Sequence, residues 1–157
     1  MKKESYELIS SDDRFIYWFI SDGRKQILKR VNFDPIGINL YNLALGDYDE
    51  KSGKFDYEIK SANGDYEKVF STVAKIISDF LSCYPYYAVI IKGNIEYKTR
   101  AYLIAINKFY DELESIFDIF GVIQNPLNND TVEVKYINGA KYDAIIVRNK
   151  RTNLKIN

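Results

Sequence analysis

Where the apolar run Tyr87-Ala88-Val89-Ile90-Ile91 gives way to Lys92-Gly93-Asn94, the chain turns into a helical pattern carrying Thr99, Arg100 and Tyr102. Lys92, Gly93, Asn94, Thr99, Arg100 and Tyr102 form the candidate ligand-binding set. A strand that passes through a glycine into a helix leaves backbone N–H groups unpaired at the positive end of the helix dipole, a geometry that suits anions. Lys92 adds a cation, Thr99 a hydroxyl, and Arg100 a planar fork that matches phosphate or carboxylate. The phosphate-binding pattern GxxxxGK[ST] is missing, and one glycine between strand and helix is common. A structural reading therefore competes: Arg100 pairs with an acid such as Asp47 or Asp65 and ties the first hairpins to the helix.

Other chemistry is narrowed by composition. The chain has no histidine, which excludes Ser-His-Asp and Cys-His nucleophile systems and removes the commonest zinc and non-haem iron ligand. Asp47, Asp49 and Glu50 are the densest acids, but Ser52-Gly53 beside them reads as a solvated turn, and the EF-hand ligand order is absent. Asp111, Glu112 and Glu114 read as the polar face of a helix rather than an acid–base pair. No metal and no cofactor are expected. Cys83 is alone, so no internal disulfide forms and a reducing compartment is the simplest home.

Charge points the same way. The 22 basic and 22 acidic side chains cancel, leaving no global field toward nucleic acid or anionic lipid. Arg24, Lys25, Lys29 and Arg30, with Arg148, Lys150, Arg151 and Lys155, would make a modest RNA-binding face if the first and last hairpins were neighbours, with tyrosines to stack on bases. Zero net charge favours the plainer reading, edge-strand protection and a solvated tail. The opening MKKESYELISSDDRF has no apolar core and does not read as a signal peptide. No run approaches the ~18 apolar residues of a membrane span. A cytoplasmic protein is expected.

The elements that must position the candidate set follow from periodicity. Phe15 to Ile20 is dense in aromatic and β-branched residues, and Asp22-Gly23 predicts a hairpin returning over Lys25 to Val31. Asp34-Pro35-Ile36-Gly37 predicts a turn, Ile38 to Tyr48 a strand, and Lys54 to Lys60 its return, with Phe55, Tyr57 and Ile59 on one face. From Asp65, which can cap a helix, Val69, Phe70, Val73, Ile76, Ile77, Phe80 and Leu81 recur at helical spacing until Pro85. That stripe reads as a core-facing helix rather than a partner-binding one. The all-apolar run 87–91 predicts a central strand covered on both faces. A second helix follows with Ala101, Ile104, Ala105, Phe109 and Leu113 toward the sheet, then a strand over 117–123. A last hairpin, Val132–Ile137 with Tyr142–Arg148, turns at Asn138-Gly139.

The fold class is thus α+β: one domain over 1–150 with a basic tail at 151–157. Its sheet is twisted and mostly antiparallel, of about six to eight strands, built from N-terminal hairpins, one central strand over 87–92 and a C-terminal hairpin. It packs against two long helices, about 65–83 and 95–113.

A resemblance emerges from several segments taken in order: Asn42-Leu43-Ala44-Leu45-Gly46-Asp47, Asn63-Gly64-Asp65-Tyr66, Lys92-Gly93, Thr99-Arg100-Ala101-Tyr102 and Tyr142-Asp143-Ala144-Ile145-Ile146-Val147-Arg148. Together they resemble a family of small bacterial proteins known only as a domain of unknown function. The likeness runs over residues 5–150 and departs in the Asn-rich loop 121–131. It implies one domain and a bacterial cytoplasm, and brings no activity, substrate or cofactor.

Two functional classes stay open. The favoured one is a non-enzymatic binding module, part of a bacterial conflict or regulatory pair, that recognises a protein partner or an anionic ligand near 92–100. The alternative is a histidine-free, metal-independent ribonuclease of the small bacterial toxin type, in which Lys92, Arg100 and Tyr102 position RNA and stabilise the phosphorane. The 14 tyrosines suit interfaces as well as cores and bring a homodimer into view.

Overall fold

A computed structural model describes residues 4–56, 63–92 and 96–150, with backbone alone for 96–98. One nine-stranded sheet runs in the order β1-β2-β3-β4-β6-β9-β7-β8, with β5 paired to β4. The strands are β1 (Ile9–Ser10), β2 (Ile16–Asp22), β3 (Gln26–Gly37), β4 (Leu40–Asp49), β5 (Lys54–Asp56), β6 (Ala88–Ile91), β7 (Phe117–Gln124), β8 (Thr131–Lys135) and β9 (Ala144–Asn149). The helices are α1 (Tyr66–Cys83), α2 (Glu96–Lys108) and α3 (Tyr110–Glu114). The α+β class, the largely antiparallel sheet and the central apolar strand are as expected. Every pairing is antiparallel except β4 with β6. A parallel pair needs a long crossover, and the chain between β4 and β6 contains α1.

α1 buries Val73, Ile76, Ile77, Phe80 and Leu81 against the sheet, the stripe that the spacing predicts. Phe80 is fully buried and stacks on Phe33 at 3.9 Å. Phe15, Tyr41, Tyr84 and Tyr87 stack on one another around it, so three of the 14 tyrosines close the core at this end of the helix.

Four expectations are corrected. The turn lies not at 34–37 but at Ile38-Asn39, where Asn39 takes φ 56°. β2 stops pairing with β3 at Asn32, so Pro35 sits on an open strand edge, where its missing N–H costs nothing. The second long helix, expected over 95–113, is divided at Phe109 into α2 and the one-turn α3. Its inward stripe is Ala105, Ile106, Phe109 and Leu113, while Ile104 is 56% exposed and Ala101 is exposed.

The C-terminal hairpin expected at Asn138-Gly139 does not form: β8 pairs with β7, and β9 slots between β6 and β7. Burial explains the outcome. Ala144, Ile145, Ile146 and Val147 are all buried and suit a strand covered on both faces, whereas Thr131–Lys135 is exposed and suits an edge. Finally, Asp65 stands at the N-cap of α1 but makes no capping bond, because its carboxylate is held elsewhere, as described below. The end of the expected strand 54–60 and the tail 151–157 lie outside the described residues. Among the described residues, no helix is long and apolar enough to cross a membrane.

Candidate functional site

β4 changes partner along one edge. Leu40–Leu43 pair with β6, and Asp47–Asp49 pair with β5. β5 runs antiparallel to β4 and β6 runs parallel to it, so both end toward Ala44-Leu45-Gly46, and the two strands point at each other along that edge. In open parallel α/β sheets ligands bind outside the carboxyl ends of the strands, and the parallel pair of this sheet, β4 with β6, ends at this junction. Lys92, exposed, follows directly on the end of β6.

On the helix side of this junction Lys29 and Asp47 form an ion pair at 2.5 Å, their side chains 10% and 22% exposed. Cross-strand register sets this up, since Lys29 lies opposite Asp47. Lys29, expected on a basic RNA face, is therefore turned into the fold.

α2 begins at Glu96. Thr99 is half-buried and Arg100 exposed, and neither is without an interaction partner. Of the acids weighed as partners for Arg100, Asp65 accepts hydrogen bonds from Tyr6 Oη at 2.6 Å and Ser21 Oγ at 2.5 Å, and Asp47 holds Lys29. Tyr102 stands apart from Lys92 and Arg100 in character. It lines an apolar cavity of about 30 Å³ with Ile91, Ile106 and Phe117, and burial pushes its phenol up to about 12. Gly93 and Asn94 lie outside the described residues.

The other basic residues do not converge. Between β3, which carries Lys29 and Arg30, and β9, which carries Arg148, lie β4 and β6, so the first and last hairpins are not neighbours. Arg30 is enclosed by Trp18, Tyr48 and Phe55, with its guanidinium carbon 5.9, 5.3 and 5.4 Å from their ring centres. Arg148 grips Glu133 with both terminal nitrogens and covers Phe120. Lys150 lies 4.0 Å from Glu114. Arg24 and Lys25 occupy the β2–β3 turn, and Arg151 is outside the described residues. Among the acids, Asp49 accepts bonds from Lys51 N and Ser52 Oγ and shapes the β4–β5 turn.

The Asn63-Gly64-Asp65 segment is a clamp rather than a ligand site. Asn63, 4% exposed, takes the Lys25 N–H on its side-chain oxygen at 3.0 Å and donates to Lys25 O at 2.8 Å. Its main-chain oxygen accepts from Arg24 N at 2.8 Å. A Cβ at Gly23 would stand 1.9 Å from that oxygen, so the Asp-Gly turn serves this close approach as well as the hairpin. Tyr6 closes the clamp: its hydroxyl also accepts from Asp22 N, and its own N–H donates to Thr72 Oγ1 on α1. Only the glycine and the polar residues around it hint at this in the sequence.

The model of one family, a family of unknown function (DUF6934), matches residues 2–150. Neither the curated proteins nor the solved structures hold a match to the chain.

Proposed function

The chain belongs to that family of unknown function, and from this premise we propose that it is a cytoplasmic binding module without turnover of its own. Its ligand carries a phosphate or carboxylate, borne by a small molecule or by an acidic segment of a partner protein. It is taken up beside Lys92, Gly93, Asn94, Thr99 and Arg100. One observation carries the reading: Lys92 is exposed at the end of the central strand, where β4 exchanges β6 for β5. Of the acids that register brings to this junction, Asp47 is paired with Lys29 and Asp56 lies opposite Asp47 at the end of β5. Tyr102 acts from beneath, packing α2 on the core rather than touching the ligand.

Titration of the full chain with inorganic phosphate, followed by amide resonances, tests this. Saturable shifts at Lys92, Thr99 and Arg100 are expected, weakened by Lys92→Ala and by Arg100→Ala. Shifts that are non-saturable, or unchanged in both variants, overturn it. Incubation with RNA separates the ribonuclease alternative: a binding module leaves RNA intact, whereas the nuclease cuts it and loses the activity in Lys92→Ala.

A further inference from the structure

A second site opens beside α1, and none of the residues lining its cleft is among Lys92, Thr99, Arg100 and Tyr102. A cleft of about 180 Å³ lies between α1 and the corner where α3 leads into β7. Its polar walls are Ser71, Lys75 and Ser78 of α1, with Ser5 from the N-terminal segment. Positions 71, 75 and 78 fall on one helical stripe spanning roughly 10 Å. Ser71 is 3% exposed, and its Oγ has no hydrogen-bond partner among the described residues. A buried hydroxyl without a partner is costly, and natural structures seldom keep one without a reason. Lys75 is exposed and, among the described residues, is the sole charged group in the walls.

The floor is apolar: Ala74, Leu113, Ile116 and Phe117. Ala74, Leu113 and Phe117 also wall the apolar cavity behind, whose lining includes Phe70, Ile77 and Tyr102. The site therefore grades from a cation at the mouth, through a buried hydroxyl, to a dry interior. Residues four apart on a helix stand about 5–6 Å apart at Cβ, within the reach of one carboxylate bridging both.

We propose that this cleft binds a medium-chain aliphatic carboxylic acid, its carboxylate bridging Ser71 and Lys75 and its chain lying over Ala74, Leu113 and Phe117 toward the apolar cavity. The Ser71 hydroxyl donates to one carboxylate oxygen, and the Lys75 ammonium donates to the other. One lysine matches one negative charge, and the apolar floor rewards a tail that acetate lacks.

The test uses the full chain and octanoate below its micelle concentration, with acetate and octylammonium as controls. Octanoate should shift the amides of Ser71, Lys75, Leu113 and Phe117 saturably, while acetate and octylammonium should not. Lys75→Glu should weaken octanoate binding about tenfold or more, as loss of a charge-assisted bond requires, and Ser71→Ala about fivefold. Lys75→Met, with the same expected loss, replaces Lys75→Glu if the latter melts early. No saturable octanoate shift, equal binding of octylammonium, or unchanged affinity in the Lys75 variant overturns the proposal. Phosphate shifts at Lys92 and Arg100 are read separately, so either site can fail without the other.

Discussion

A Cβ at Gly121 would stand 2.1 Å from Cδ1 of Tyr142. The phenol ring occupies the space a side chain would need, just where the chain returns to start β9. Tyr142 Oη accepts from Ile137 N at 2.9 Å, so one residue fixes both ends of the connection that carries the chain from β8 across β7. Gly121→Ala should displace that ring and cost about 2–3 kcal/mol in urea unfolding. Gly37→Ala, whose added carbon would meet Leu40 at an ordinary 3.7 Å, should stay within about 0.5 kcal/mol.

The Asn63 clamp makes a second prediction. Asn63→Ala removes a partner from Lys25 N and one of two from Lys25 O, which still accepts from Gly23 N, at a cost of about 1–2 kcal/mol. Amide exchange at Lys25 should accelerate more than exchange in β9, because the damage is local to the first hairpin. Equal acceleration throughout would show that Asn63 acts on the whole fold instead.

The Lys29–Asp47 pair is only partly shielded, so its loss should fall below that of a fully buried pair. Lys29→Met should cost about 1–3 kcal/mol by removing the ammonium paired with Asp47. A double-mutant cycle with Asp47→Asn measures the coupling. A coupling near zero would mean that each side chain is held by its other contacts.

Tyrosine burial predicts how stability changes with alkali. Burial pushes both Tyr102 and Tyr136 up to about 12, against about 10 in an unfolded chain. Below pH 10 both states keep these protons, so the contribution is fully present. Above pH 10 the unfolded chain releases them first, and stability falls until the pH passes about 12. Each tyrosine adds a slope of up to about 1.4 kcal/mol per pH unit in that window. Urea unfolding from pH 8 to 11 should show the bend, and Tyr136→Phe should make it shallower while leaving the Tyr102 share.

Much of this architecture is legible where local pattern and burial agree. The stripe from Val69 to Leu81 gives α1, and the all-apolar run 88–91 gives the central strand. The Asn138-Gly139 pair misleads, because a hairpin signature is local while the partner of β9 is decided by which neighbours bury Ala144 to Val147. Pro35 misleads in the same way: whether it ends a strand depends on an edge that only the sheet defines. Of the candidate site, the residue types at 92–100 are readable, but the exchange of β6 for β5 is a property of register. Ser71 leaves the faintest trace in the sequence. A serine among apolar positions of a helix reads as filler, and its recurrence with Lys75 and Ser78 at spacings of four and three is the one cue the sequence offers.

The position of β9 has a consequence for biosynthesis. Among the described residues, the strands from β1 to β6 are hydrogen-bonded to the β7–β8 ribbon only through it, since β6 and β7 do not pair. A nascent chain that has not yet released residues 144–149 from the ribosome holds two half-sheets with bare apolar margins, templates for joining another chain edge to edge. The sheet can therefore close only once residues 144–149 have emerged, and a premature stop anywhere before Ala144 should leave an insoluble product rather than a weakened one.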